Sequence, residues 1–156
     1  MKKMRSMVMV VLILAVVAVL GGCGKSPETA RKELGQMNIQ YSPESFNKVI
    51  ENNDMIAFKL FLEAAIDPNS QDAMGNRALD TAVVKGRQEM VKMLVEKGAN
   101  VNAKDKEGIS TLMMAAASEN TAEIVKILLD KGADVNTRTS KDVTALHAAA
   151  KKGNAE

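Results

Sequence analysis

Glu89-Met90-Val91-Lys92-Met93-Leu94 returns as Glu123-Ile124-Val125-Lys126-Ile127-Leu128, and Gly98-Ala99-Asn100-Val101-Asn102 returns as Gly132-Ala133-Asp134-Val135-Asn136, both 34 residues on. Two separate blocks at one spacing define an internal repeat, and a period of this size belongs to architectures that stack copies of one small unit. The spacing extends in both directions. Gly75 and Leu79 align with Gly108 and Leu112 at 33, which places one extra residue within Ala115 to Asn120. Lys59-Leu60-Phe61 and Asp67-Pro68-Asn69 align with Lys92-Met93-Leu94 and Asn100-Val101-Asn102, again at 33, and Thr144-Ala145-Leu146-His147-Ala148-Ala149 opens a further unit.

Within a unit the apolar residues fall on helical spacing. Met90, Val91 and Leu94, then Ile124, Val125 and Leu128, each make one apolar face. The helix before them is small and apolar, as in Ala115-Ala116-Ala117 and Ala148-Ala149-Ala150, so neighbouring helices can approach closely. Gly98 and Gly132 stand where a second helix ends and a left-handed residue is wanted. Ala65 holds that place in the first unit, at a conformational cost that glycine would not carry.

These features resemble the ankyrin repeat, over roughly Pro43 to the C-terminus. That family's pattern is a turn with Gly, then T-P-L-H-x-A, a helix pair and G-A-D-V-N. Thr144-Ala145-Leu146-His147-Ala148-Ala149 matches best, and the segments from Gly75 and from Gly108 match more loosely. Ala78, Thr111 and Ala145 occupy the Pro slot, and Asp142 stands at the turn glycine of the last unit. The resemblance implies an all-α ankyrin-type helical repeat solenoid with short β-hairpin or turn fingers, its units at about 43–70, 71–103, 104–137 and 138–156, the last incomplete. The chain stops at Gly153-Asn154-Ala155-Glu156, where aligned units begin a second helix, so a fragment or an early-ended reading frame is expected, with fraying or self-association at that end.

The other informative segment is the first. Lys2, Lys3 and Arg5 precede an uncharged run from Met7 to Leu20, followed by Gly21-Gly22-Cys23. The run is shorter than the roughly 20 residues needed to span a bilayer and fits a secretory signal peptide over 1–22. Leu20-Gly21-Gly22-Cys23 resembles a bacterial lipobox, which implies that Cys23 becomes diacylated (the palmitate class of modification) and is the first residue of the mature chain. Stable anchoring takes more than one acyl chain, and a diacylated cysteine supplies them. Gly24 stands where an inner-membrane retention signal has Asp, so the resemblance points to a cell envelope, at the outer membrane or periplasmic face if the source is Gram-negative. Residues 23–42 then hold a short tether and a capping helix from Pro27 to about Leu34, with Ser26 as N-cap and Gly35 as the stop.

Composition bounds the chemistry. The chain has 156 residues, 46% hydrophobic and 3% aromatic, with one Cys and one His. That length excludes a large multidomain enzyme. One Cys excludes an internal disulfide and any thiolate-clustered metal site. The net charge of +2 belongs to the export segment: of 21 basic residues three precede residue 22, and the remaining 18 face 19 acidic ones. No nucleic-acid surface is implied, because basic pairs such as Lys151-Lys152 have no aromatic residues among them.

No catalytic constellation is found, and no cofactor, metal or small-molecule substrate is expected. His147 resembles the family's structural histidine, which bonds the turn backbone. Asp72 and Asp105, like Glu89 and Glu123, recur at repeat spacing and read as turn caps and solvated faces. What remains is recognition of a protein partner. The resemblance places binding at the finger tips, here Ala73, Met74, Asn76, Lys104, Lys106, Glu107, Ile109, Arg138, Ser140, Lys141 and Val143. On the open side of the first helices it points to Val84, Lys85, Glu119, Lys151 and Lys152. Met74, Ile109 and Val143 are expected to be exposed, and mixed charge beside apolar tips suits a protein. The function read from this is a non-enzymatic, lipid-anchored envelope protein that binds another protein; the alternatives are a structural or accessory envelope factor without one client, or an enzyme with an unrecognised site.

Overall fold

Eight helices account for most of residues 24–153, the part of the chain that the computed structural model describes: α1 (Pro27–Gln36), α2 (Pro43–Glu51), α3 (Met55–Glu63), α4 (Ala78–Val84), α5 (Gln88–Glu96), α6 (Thr111–Ala117), α7 (Ala122–Asp130) and α8 (Ala145–Lys152). The segments expected to be a signal peptide and a lipobox with Cys23, and residues 154–156, lie outside the described residues.

Local sequence explains where the helices start. Ser26 and Ser42 accept from the backbone N–H three residues on, each with Pro at the first helical position. Asp54 caps α3 through Ile56 and Ala57 N–H, Ser110 caps α6 through Met113 N–H, and Thr144 caps α8. Arg77 begins α4 without a side-chain cap, because a guanidinium only donates and cannot accept from the first backbone N–H groups of the helix.

The helix ends share one device. After α1, α2, α3, α4, α5 and α7 comes a left-handed residue, respectively Asn38, Asn53, Ala65, Gly86, Gly98 and Gly132, with φ between 57° and 90°. At each, the next residue's N–H returns to a carbonyl five positions back, as in Ile39 to Leu34, Ile66 to Phe61 and Ala99 to Leu94. Gly35 was expected to stop α1 but lies inside it, and the helix runs to Gln36 with Asn38 taking the left-handed turn. An asparagine side chain tolerates that backbone region, so the nearest glycine is no sure marker of the stop. The extra residue expected between Ala115 and Asn120 sits in the α6–α7 loop, where Asn120 is left-handed at φ 56° and Thr121 Oγ1 donates to Ala115 O at 2.6 Å.

Packing follows the repeat. First helices α2, α4, α6 and α8 form one row, second helices α3, α5 and α7 another, and α1 lies against α3. Met90, Val91 and Leu94 of α5 are fully buried, as are Ile124 and Leu128 of α7, whereas Val125, the repeat mate of Val91, is half-buried. The difference has a plain cause, since α7 has a neighbouring second helix on one side only among the described residues. Val101 and Val135 differ likewise, at 8% and 53% exposure.

The aromatic residues thicken the N-terminal end. Phe46 stacks on Phe58 at 5.4 Å and tilts against Phe61 at 5.1 Å, Tyr41 stacks on Phe61, and Arg31 sits 4.5 Å over the Tyr41 ring. Tyr41 Oη and Arg31 both donate to Ala64 O, and Ala30 and Leu34 of α1 are buried against this cluster. The solenoid is all-α: the expected hairpin fingers are turns closed by single antiparallel bridges, Gln71 to Arg77 and Lys104 to Ser110, with no longer strand among the described residues.

Ala65 is left-handed at φ 59°, where its repeat mate is Gly98 at φ 90°, with open space around the latter's missing Cβ. Ala65→Gly is expected to stabilise the chain by up to about 1 kcal/mol, and Gly98→Ala to cost a similar amount. Thermal unfolding of the two variants checks this; an unchanged or lower melting temperature for Ala65→Gly would contradict it.

Candidate functional site

Each finger is a five-residue loop organised by one side chain. Asp72 Oδ1 accepts from Met74 and Asn76 N–H at 3.0 and 2.8 Å; Asp105 Oδ1 accepts from Glu107 and Ile109 N–H at 2.9 and 2.8 Å. In the third finger Thr139 Oγ1 plays that part for Lys141 and Val143. The fourth residue of each loop is left-handed: Gly75, Gly108 and, at φ 57°, Asp142. Asp142 therefore adopts the conformation that its glycine-slot position demands, and its carboxylate lies 3.7 Å from Arg138. The turn-capping expected of Asp72 and Asp105 is what the structure contains.

Between these fingers and the first helices runs an open groove of about 740 Å³. Met74, Asn76, Lys104, Lys106 and Glu107, expected at the tips, line it together with Val84 and Lys85 of the helix side. Met74 is 84% exposed and Val84 56% exposed, two apolar groups of this lining with little cover. Ala73 and Met74 also edge a smaller depression with Glu44 and Asn47, and Glu119 with Lys152 edges another that shares Val84 and Lys85.

The remaining expected residues are placed otherwise. Ile109 was expected exposed and is half-buried, because the third finger folds over the second: Ser140 N–H donates to Glu107 O, and Thr139 Cα lies 3.3 Å from where a Cβ on Gly108 would be. Ser140, Lys141 and Val143 lie outside the groove, with Val143 37% exposed. Asn76 lines the groove with its side chain engaged, since its Nδ2 donates to Asp72 Oδ2 at 3.1 Å. Asn47 Nδ2 donates to the same Oδ2 and to Asn76 O, which fixes its amide and leaves its own Oδ1 buried without a partner.

Sequence reasoning missed the groove floor. Arg77 Nε donates to Asp80 Oδ2 at 2.6 Å, Thr111 Oγ1 donates to Asp80 Oδ1 at 2.7 Å, and Arg77 reaches across to Lys104 O at 3.1 Å. This nearly buried set joins the second unit to the third. Arg77 and Asp80 occupy the T and H slots that Thr144 and His147 hold in the last unit, where Thr144 N–H and hydroxyl meet His147 Nδ1. The signal was an opposite-charge pair at i, i+3 on one helix start.

Titration reflects the same bonds. Burial raises the Asp72 carboxyl, but the donors Asn76, Asn47 and Met74 outweigh it and hold it below its ordinary value. Glu44 is lowered first by its own backbone N–H and then by Ser42, and Glu119 by the hydrogen bond and charge of Lys152 at 2.9 Å. Among the described residues no group of three or more His, Cys, Asp or Glu could hold a metal, and no helix is long and apolar enough to cross a membrane.

Comparison with known proteins agrees with the geometry. The family model for ankyrin repeats, in three copies, matches residues 42–105 and 103–156. A glycerophosphocholine phosphodiesterase of Schizosaccharomyces pombe is 46% identical over 66 residues, 42% of this chain and 6% of that one. An ankyrin repeat-containing protein of Treponema pallidum is 31% identical over 97 residues, 62% of this chain and 33% of its own. The chain thus spans a third or less of these curated relatives.

Two outcomes follow from the buried set and the first finger. Asp80→Ala leaves Arg77 buried without its counter-charge and should cost about 3 kcal/mol, while Arg77→Thr with Asp80→His, the pair of the last unit, should recover most of it in urea unfolding. Equal stability of wild type and Asp80→Ala would contradict this. Because Asp72 is lowered when folded, its contribution is complete above the unfolded value near 3.8 and is lost as pH falls through the lower folded one. Carboxyl NMR should therefore find Asp72 titrating below 3.8, and a value above it would be contrary.

Proposed function

The chain belongs to the ankyrin-repeat family, and on that premise we propose that it is a non-enzymatic, lipid-anchored protein of a bacterial cell envelope that binds another protein in the groove between its fingers and first helices. Ankyrin repeats are generally protein–protein interaction modules. The observation that carries the reading to this groove is the pairing of exposed Met74 and Val84 with uncommitted charged side chains around them. Exposed apolar groups rimmed by polar ones within one groove suit an association surface, since burying them removes apolar area from water while the rim stays wet.

The anchor rests on the sequence: a basic head, an apolar run too short to span, and Cys23 after Leu20-Gly21-Gly22. Residues 1–22 are the signal peptide in this reading and 23–42 the lipidated N-terminus, tether and cap. Three residues separate Cys23 from α1, so an anchored chain holds its solenoid close to the membrane surface.

Crosslinking in intact cells, followed by mass spectrometry of the membrane-extracted chain, tests both halves. A mature chain beginning at acylated Cys23 is expected, with a dominant crosslinked partner that Met74→Asp with Val84→Asp releases and Lys92→Glu, on the exposed side of α5, retains. An unmodified Cys23 would overturn the anchor, and a partner indifferent to the groove substitutions would overturn the site.

A further inference from the structure

Four carboxylates and four cationic groups line the groove, yet they are not equally available. Asp80 is closed off by Arg77 and Thr111, and Asp105 holds the second finger through the backbone N–H groups of Glu107 and Ile109. Arg77 is spent on Asp80 and Lys104 O. Lys85, Lys104 and Lys106 are exposed, and none of them enters an ion pair among the described residues.

The free lysines are also grouped. Lys85 ends α4, while Lys104 and Lys106 flank Asp105 at the base and tip of the second finger, so all three stand on the side of the second and third units. Glu51, at the end of α2, lies on the side of the first unit, and only Glu107 carries an uncommitted acid among the lysines. Met74, Val84 and, half-buried, Met114 provide the apolar part of the same surface. Methionine adapts to varied side-chain shapes, which suits an anchor that is apolar without being of one fixed form.

We propose that the groove takes an extended acidic segment of a partner protein, with one apolar side chain set against Met74 and Val84 and its carboxylates meeting Lys85, Lys104 and Lys106. This rests on the groove being the protein-binding site and adds the chemistry of what enters it. The apolar anchor supplies burial, and the lysines supply orientation, association rate and a dependence on salt. A polyanion without an apolar anchor satisfies only half of the surface, so a nucleic acid is not its match.

The full chain in detergent is titrated, by fluorescence anisotropy, with four labelled probes: a peptide of about ten residues of Asp, Glu and Gly with one central Leu, the same peptide with Ser for Leu, its Lys-for-acid counterpart, and a single-stranded oligodeoxynucleotide. The first should bind, weakening as salt rises, and the other three should bind at least about tenfold more weakly. Lys104→Glu with Lys106→Glu should weaken the first probe by about tenfold and Glu107→Gln should tighten it, with the melting temperatures of both variants near wild type. Stronger binding of the lysine peptide or the oligonucleotide, no binding of the acidic probe up to about 1 mM, or indifference to the lysine reversals would overturn the proposal. If the acidic probe fails while Met74→Asp with Val84→Asp still releases the cellular partner, the acidic-segment assignment falls and the groove stands. If neither responds, both fall.

Discussion

Leu94 and Leu128 are completely buried although each belongs to a helix of only nine residues, and they are so because a neighbouring unit covers them. A helix this short is marginal by itself in water, and one unit cannot bury its own apolar face. Burial between units is therefore the constraint on which the rest of the molecule depends. Where a neighbour is lacking among the described residues, Val125, Val135 and Leu146 become partly or largely exposed. At the other end α1 and the aromatic cluster cover α3.

Stacking at a fixed period needs connections of fixed geometry. The left-handed residue after most helices turns the chain within a few positions, and the asparagines at the unit ends tie one connection to the next. Asn69 donates to Gly98 O and accepts from Asn100 N–H; Asn102 does the same with Gly132 and Asp134. The fingers repeat the economy, with Asp72, Asp105 and Thr139 each organising a loop. The side chains left over from these duties, Met74, Val84, Lys85, Lys104 and Lys106 among them, are the ones that face the groove.

Much of this was legible in the residues. The two blocks at a 34-residue offset gave the period, and the alignment placed Ala65 and Asp142 in slots that require a left-handed backbone, which both adopt. Five of the tip residues, Met74, Asn76, Lys104, Lys106 and Glu107, line the groove. The failures share a cause. The half-burial of Ile109, the commitment of Asn76 to Asp72 and the Arg77–Asp80–Thr111 set all arise from contacts between units or across a loop. A one-dimensional period shows which slots face each other but not how a substituted pair, such as Arg77 and Asp80 for Thr and His, will bond. Gly35 misled for a local reason, since Asn38 could take the turn three residues after it.

The central claim is that the groove side of the solenoid, and not its second-helix side, meets the partner protein. The most direct measurement places a photoreactive amino acid at position 74 in one version of the chain and at position 92, exposed on α5, in another, and irradiates intact cells. The account predicts a discrete protein adduct from position 74 and none of comparable yield from position 92. Equal adducts from both, or an adduct from position 92 alone, would contradict it.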